Sequence, residues 1–332
     1  MSRQIRLMYL PAPPARIREV LQRRLPQGWR LLALEHEDQA ERLRLLGQAD
    51  ALISGGRIMT QAELDAAPDL VVVQHQGVGY HDRIPVAGLK ARGIRMAICP
   101  AGTAESVAEL TLFLMIGALR RFVLADTLLR QGRFESQALR GEARLLHGRS
   151  VGIIGLGRIA RHVMEVLRPF GVGGLYSSPR SRLSAAEEQA LGFRHAPLDV
   201  LLAASDVVSL HVPATPDTAR MIGPEAIARM KPGAVLINTA RGSVVDEAAL
   251  AAALRSGHLS AAGLDVFDPE PPLPGNPLIG LPNVVHTPHI GSGASDTVEL
   301  KLSWCVANLE RFFHDGSLAE EVERGAAGEG RP

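Results

Sequence analysis

The segment Val151-Gly152-Ile153-Ile154-Gly155-Leu156-Gly157-Arg158-Ile159-Ala160 spaces its small residues as G-x-G-x-x-A. An apolar run precedes it, and a stretch follows whose apolar positions Ile159, Val163, Val166, Leu167 and Phe170 recur on one helical face. This is the pattern of a strand, a tight turn and a helix built to receive a pyrophosphate. Gly155 permits the turn, Gly157 lets the anion approach the main chain, and Ala160 lets helix pack on strand. The backbone of Leu156, Gly157, Arg158 and Ile159 then meets the phosphates at the helix N-terminus. About 20 residues further on, a site for NAD carries an acid that holds the ribose 2′-hydroxyl. Here the chain reads Tyr176-Ser177-Ser178-Pro179-Arg180-Ser181-Arg182, with no carboxylate. Ser177, Ser178 and Arg180 become the ribose candidates, with Arg182 nearby. Repulsion of a 2′-phosphate is gone and charge-assisted hydrogen bonds to it become available, so NADP is expected in preference to NAD.

Three further segments end predicted strands: Asn238-Thr239-Ala240-Arg241-Gly242, Leu264-Asp265-Val266-Phe267-Asp268-Pro269-Glu270-Pro271 and His286-Thr287-Pro288-His289-Ile290-Gly291. Taken singly, Arg241 could be a surface arginine, Glu270 a turn residue and His289 a structural histidine. Their order and spacing after the glycine turn make the chain resemble the D-2-hydroxyacid dehydrogenase family, whose members carry N-x-A-R-G, D-V-F-x-x-E-P and P-H-I-G in that order. The resemblance covers nearly the whole chain and is nearest to glyoxylate and hydroxypyruvate reductases.

That resemblance implies roles. Arg241 binds the substrate carboxylate and carbonyl, Glu270 pairs with the histidine, and His289 donates and accepts the proton. Val78 and Gly79, in Gln76-Gly77-Val78-Gly79-Tyr80, offer backbone N–H groups to the substrate carboxylate, although a simple tight turn would look the same. The stretch His81-Asp82-Arg83-Ile84-Pro85 is one residue longer than the common family pattern. Thr103, His211, Val212, Pro213, Thr218, Thr239, Ala240, Asp265, His289 and Gly291 line the cofactor, Asp265 at its nicotinamide end; local capping is the plain alternative for the hydroxyl groups. The residue types suit reduction of a 2-oxo acid. Hydride reaches the carbonyl carbon while charge grows on its oxygen, so a proton donor must stand beside that oxygen. A carboxylate favours and orients the imidazolium, and a guanidinium grips the substrate carboxylate with two parallel bonds. His286 is read as packing, and His195 and His258 carry no partner signal.

The elements that must position these groups follow α/β grammar. Ile5 to Leu10, Ala51 to Ser54, Leu70 to Gln74 and Ile94 to Ile98 read as strands of a small open sheet. A long apolar helix spans Glu105 to Arg121, and a polar stretch runs from Arg130 to Gly148. Six strands then start near Val151, Gly174, Asp206, Ala234, Ala261 and Asn283 with helical patterns between them, which describes a doubly wound parallel sheet. The amphipathic stretch Thr297 to Phe313 is expected to return to the first domain. The expected fold is therefore α/β with two doubly wound domains. A Rossmann nucleotide-binding domain, 102–293, is inserted into a discontinuous flavodoxin-like substrate domain, 1–101 plus 294–332. The tail beyond Leu318 is expected to be mobile.

Composition narrows the function classes. Lys plus Arg number 36 against 35 Asp plus Glu, a net +1 that argues against nucleic-acid or membrane binding. Leu110 to Leu119 is the longest uncharged apolar stretch of its region, half of what a membrane span needs. Cys99 and Cys305 lack disulfide or metal spacing, which favours a reducing, cytoplasmic setting and no metal. The leading expectation is an NAD(P)H-dependent reductase of small 2-oxo acids, a homodimer through its nucleotide-binding domain. Alternatives are a cofactor-sensing, corepressor-like binding protein or a phosphite dehydrogenase. Glu270 argues against formate-acting relatives, which carry Gln there, and the short sequence after Phe313 against a phosphoglycerate dehydrogenase with an added domain.

Overall fold

The computed structural model describes residues 4–322, and the expectation for the tail lies outside them from 323 onward. The chain divides into two compact units: one runs to Thr103 and resumes at Ser292, the other is Ala104–Gly291.

The first unit contains five parallel strands, β1 (Arg6–Leu10), β2 (Arg30–Ala33), β3 (Ala51–Ser54), β4 (Val72–His75) and β5 (Arg95–Ala97), in the order β2-β1-β3-β4-β5. This is the flavodoxin-like order. Alternate residues feed the two faces, as strand geometry requires. Met8, Leu10, Leu52 and Val73 join one apolar layer, and Leu7, Tyr9, Ile53 and Val72 the other. Because both faces are covered, β1 and β3 read as continuous apolar runs. The second layer is completed by Leu302, Cys305, Val306 and Leu309 from the helix Ser295–Asp315, so the end of the chain closes the sheet that its beginning opens. Strand β2 was not anticipated. Tail residues up to 322 are pinned, contrary to expectation: Val322 donates its N–H to Met96 O at 2.8 Å, and Arg95 pairs with Glu321 at 2.6 Å.

The second unit holds seven parallel strands: β6 (Ser150–Ile154), β7 (Gly173–Ser177), β8 (Phe193–His195), β9 (Val207–Leu210), β10 (Ala234–Asn238), β11 (Leu259–Leu264) and β12 (Val284–His286). Their order is β12-β11-β10-β9-β6-β7-β8, the Rossmann order with one strand added. The expected six strands become seven because β8 is a three-residue edge strand. The long helix is Thr103–Leu119, and the polar stretch includes the short helix Ser136–Glu142. The helix Arg158–Leu167 buries Ala160, Val163, Met164 and Leu167 against the sheet.

Parallel strands put all their C-terminal ends on one edge. The glycine turn follows β6, Ser178 follows β7, His211 follows β9, Arg241 follows β10, Asp265 and Glu270 follow β11, and His289 follows β12. The winding reverses between β6 and β9, the crevice where ligands of open α/β sheets bind.

Candidate active site

Gly155 has φ +103°, and a Cβ there would stand 2.2 Å from His211 O. Its N–H donates to Ser177 O at 2.9 Å. Only glycine fits where the turn wedges between the loops after β7 and β9. Gly157 caps the helix Arg158–Leu167 without a side chain, and no acid occupies the first turn. A Cβ at Gly157 would meet no atom within 4 Å. A helix N-terminus with open space against its capping backbone suits a pyrophosphate, so the turn fits a dinucleotide.

The loop after β7 is closed on itself. Ser178 is buried, its Oγ lies 3.1 Å from Ser181 Oγ, and the Arg182 guanidinium donates to the carbonyls of Ser178 and Ser181. Arg182 thus folds its guanidinium back on the loop, and both Arg180 and Arg182 are exposed. After β9, His211 Nε2 meets Ser209 Oγ at 2.9 Å, and burial pushes its imidazole down to about 4. Val212 and Pro213 follow. Thr218, expected at the cofactor, donates its hydroxyl to Pro213 O at 2.6 Å and accepts from Thr215 N at 2.9 Å, bracing its own loop.

After β10, buried Asn238 folds the chain back: its amide donates to Arg241 O at 2.9 Å and accepts from Ala240 N at 3.0 Å. Thr239 Oγ1 lies 3.0 Å from Thr111 Oγ1, and the Arg241 guanidinium donates to Ala240 O at 2.8 Å. A Cβ at Gly242 would come within 2.0 Å of the Phe267 carbonyl carbon, so glycine lets the loops after β10 and β11 touch backbone to backbone. Glu270 Oε1 accepts from Phe267 N at 3.3 Å, and its Oε2 meets His289 Nδ1 at 2.7 Å.

His289 adopts φ +53°, the left-handed region that costs a β-carbon-bearing residue about 1–3 kcal/mol. Asp265, 2% exposed, holds it there. Its carboxylate accepts from Thr287 Oγ1 at 2.6 Å, Ile290 N at 2.9 Å and Gly291 N at 2.8 Å, while its carbonyl accepts from His289 N at 2.8 Å. Burial raises the Asp265 carboxyl above the ordinary range against the pull of these donors. Asp265 was expected to meet the nicotinamide end of the cofactor; in the structure its oxygens are engaged by the turn that carries His289. Sequence reasoning missed this anchor and the Asn238 clamp, although an Asn three residues before the arginine was a usable signal.

Val78 and Gly79 belong to the first unit, in the turn after β4, which is braced where Tyr9 donates its hydroxyl to Gln76 Oε1 at 2.8 Å. The Thr103 hydroxyl is buried without a hydrogen-bond partner among the described residues. His286 lies half-buried beside Phe267, and burial lowers its imidazole. His258 Nε2 contacts Ile227 O at 2.9 Å, and His195 packs against Tyr176. Among the described residues, no group of three or more His, Cys, Asp or Glu is suited to a metal ion, and no helix is long and apolar enough to cross a membrane.

Residues 112–291 match the family model of the D-isomer specific 2-hydroxyacid dehydrogenase NAD-binding domain. The chain is 40% identical over 260 residues to D-3-phosphoglycerate dehydrogenase of Mycobacterium tuberculosis, covering 78% of this chain but 48% of the relative, so it spans about half the length of that protein. It is 37% identical over 284 residues to a hydroxypyruvate reductase of Thermotoga maritima, covering 85% of this chain and 89% of the relative. Its fold superposes on an NADPH-dependent glyoxylate/hydroxypyruvate reductase from Sinorhizobium meliloti, solved with NADP and malonate, with TM-score 0.81, 32% identity and 97% of each chain covered.

The depressed imidazole of His211 makes a stability prediction. A free imidazole titrates near 6.5, so between about 6.5 and about 4 the unfolded chain binds the proton and the folded chain does not. Stability is intact above that window and falls as pH drops through it, by about 2 kcal/mol at pH 5. Urea denaturation at pH 7 and pH 5 should show a smaller loss in His211→Gln than in the native protein.

Proposed function

The chain belongs to the D-isomer specific 2-hydroxyacid dehydrogenase family, and on that premise we propose that it reduces a small 2-oxo acid of glyoxylate or hydroxypyruvate size to the D-2-hydroxy acid, using NADPH in preference to NADH. The observation that carries this reading is the 2.7 Å contact of Glu270 with His289, on the same sheet edge as the Arg241 loop and the glycine turn.

The bound dinucleotide supplies a hydride to the carbonyl carbon. The chain supplies the rest. The Arg241 guanidinium grips the substrate carboxylate with its planar fork and polarises the ketone. Glu270 on Nδ1 fixes the His289 ring, which aims Nε2 at the ketone oxygen; that oxygen takes the Nε2 proton as negative charge develops on it. Val78 and Gly79 offer backbone N–H groups to the carboxylate. The second unit serves as the nucleotide-binding domain, 102–293, and the first, 1–101 plus 294–332, as the substrate domain. Leu156, Gly157, Arg158 and Ile159 hold the pyrophosphate, Ser177, Ser178 and Arg180 read the ribose, and Thr103, His211, Val212, Pro213, Thr239, Ala240 and Gly291 line the remainder.

The NADPH preference is supported by the absent acid after β7 and by the NADP complex of the Sinorhizobium relative. A homodimer through the nucleotide-binding domain is supported by exposed Phe113 and Phe122, whose rings meet edge-on at 6.0 Å, and by exposed Leu129, Phe134 and Leu145 on the same unit. The cytoplasm is the proposed location, on cysteine content.

A turnover screen of 2-oxo acids of increasing side-chain size, each with NADPH and NADH, tests the reading. Glyoxylate and hydroxypyruvate with NADPH should lead. A lead for phosphohydroxypyruvate would move the assignment toward the phosphoglycerate dehydrogenases, and no turnover with tight cofactor binding toward a sensor. His289→Ala should lower kcat by ~10²–10⁴-fold with cofactor affinity retained. Arg241→Lys should lower kcat/KM at least tenfold, because a point charge cannot replace a bidentate grip; unchanged kcat/KM would remove that role.

A further inference from the structure

Tyr176 is fully buried at the end of β7, facing the apolar layer of the helix Arg158–Leu167, with its ring edge-on to His195 at 5.4 Å. Its hydroxyl is not idle in that layer. It accepts from Leu183 N at 2.9 Å and donates to Glu188 Oε1 at 2.9 Å, and the same Glu188 oxygen accepts from His195 N at 3.0 Å. A strand residue thus reaches across its own following loop and joins the loop's far end.

The segment so closed, 177–183, is the one that carries Ser178 and Arg180. Its entrance is tied where Ser177 O accepts from Gly155 N at 2.9 Å, and its exit where Ser184 caps the next helix in a reciprocal box with Glu187. Glu187 in turn pairs with Arg161 at 2.7 Å, on the helix of the glycine turn. Between those ties, Arg182 braces the carbonyls of Ser178 and Ser181. A seven-residue surface loop whose buried side chains are those of Ser178 and Leu183 would otherwise sample many conformations, and an exposed arginine on it would grip an anion poorly, because ordering the loop would subtract from binding.

From this arrangement we infer that Tyr176 is a positioning residue for cofactor discrimination: its hydroxyl clasps the loop so that Arg180, on a backbone that buried Ser178 helps to fix, is presented already ordered to the substituent on the adenosine ribose 2′ position. Fully buried, Tyr176 would act through the loop and not on the cofactor. The inference rests on the nicotinamide-cofactor reading above, and the ligand chemistry it concerns is a phosphate monoester or hydroxyl at that one position.

The test is the ratio of the dissociation constants for NADPH and NADH, measured by calorimetry on the full chain. In Tyr176→Phe, which keeps the ring and removes the clasp, the ratio should move at least fivefold toward one, with the change falling on the preferred cofactor. Native protein that prefers NADH would sink the NADPH reading alone, since a collapse of that ratio in the variant would still support the clasp. An unchanged ratio in a folded variant, or equal weakening toward both cofactors, would overturn the clasp. So would native protein with no discrimination. Should the variant not fold, amide hydrogen exchange on native protein decides. The clasp predicts that the preferred cofactor slows exchange at Leu183 more than the other does, and equal protection by the two contradicts it.

Discussion

One buried carboxylate carries the geometry at the sheet edge. Asp265 leaves β11 with almost no exposure, and an ionised oxygen pair so placed must be met by donors or neutralised. The donors come from Thr287, Ile290 and Gly291, which flank His289 on both sides. The imidazole therefore stands on a backbone that is locally unfavourable at φ +53° yet over-determined by its surroundings. Without that anchor, the 2.7 Å contact with Glu270 would have no reason to persist in a loop whose Pro288 and Ile290 are exposed.

The same logic of contact, rather than of single residues, unites the rest of the edge. Gly242 admits the Phe267 backbone, Gly155 admits the His211 carbonyl, and Asn238 folds the Arg241 loop back on itself. At the two glycines a side chain is absent so that two strand-end loops can meet, and at Asn238 one is turned inward to close its own loop. The parallel sheet brings these loops to one side, and the reversal between β6 and β9 opens the crevice beside the glycine turn. Fold and site are in this sense one construction: the strand order chooses which loops are neighbours, and small residues choose how closely they come.

Much of this was legible in the sequence. The strands with both faces buried announced themselves as aliphatic runs, and the glycine turn could be read because its context supplied strand and helix together. The return of the last helix to the first sheet was visible in its amphipathic spacing. What escaped were elements with little buried surface: β2, whose Arg30 is exposed, and β8, with one buried side chain in three. Periodicity cannot mark a strand that packs so few residues. The role of Asp265 escaped for a different reason. Two of the three donors to its carboxylate are main-chain N–H groups 25 and 26 residues away, and backbone donors leave no trace in residue type. Residues 319–322 were misjudged similarly, since their polar composition hid a backbone bond to Met96 and an ion pair to Arg95.

The central claim is that Glu270 acts on the reaction only through His289, and a double-mutant cycle on kcat/KM for 2-oxo acid reduction with Glu270→Gln and His289→Asn measures it most directly. If the two form one proton-delivering unit, the double variant should be no more than about threefold slower than His289→Asn alone, because removing the ring leaves the carboxylate nothing to orient. Losses that multiply independently would contradict the account and detach the carboxylate from the chemistry.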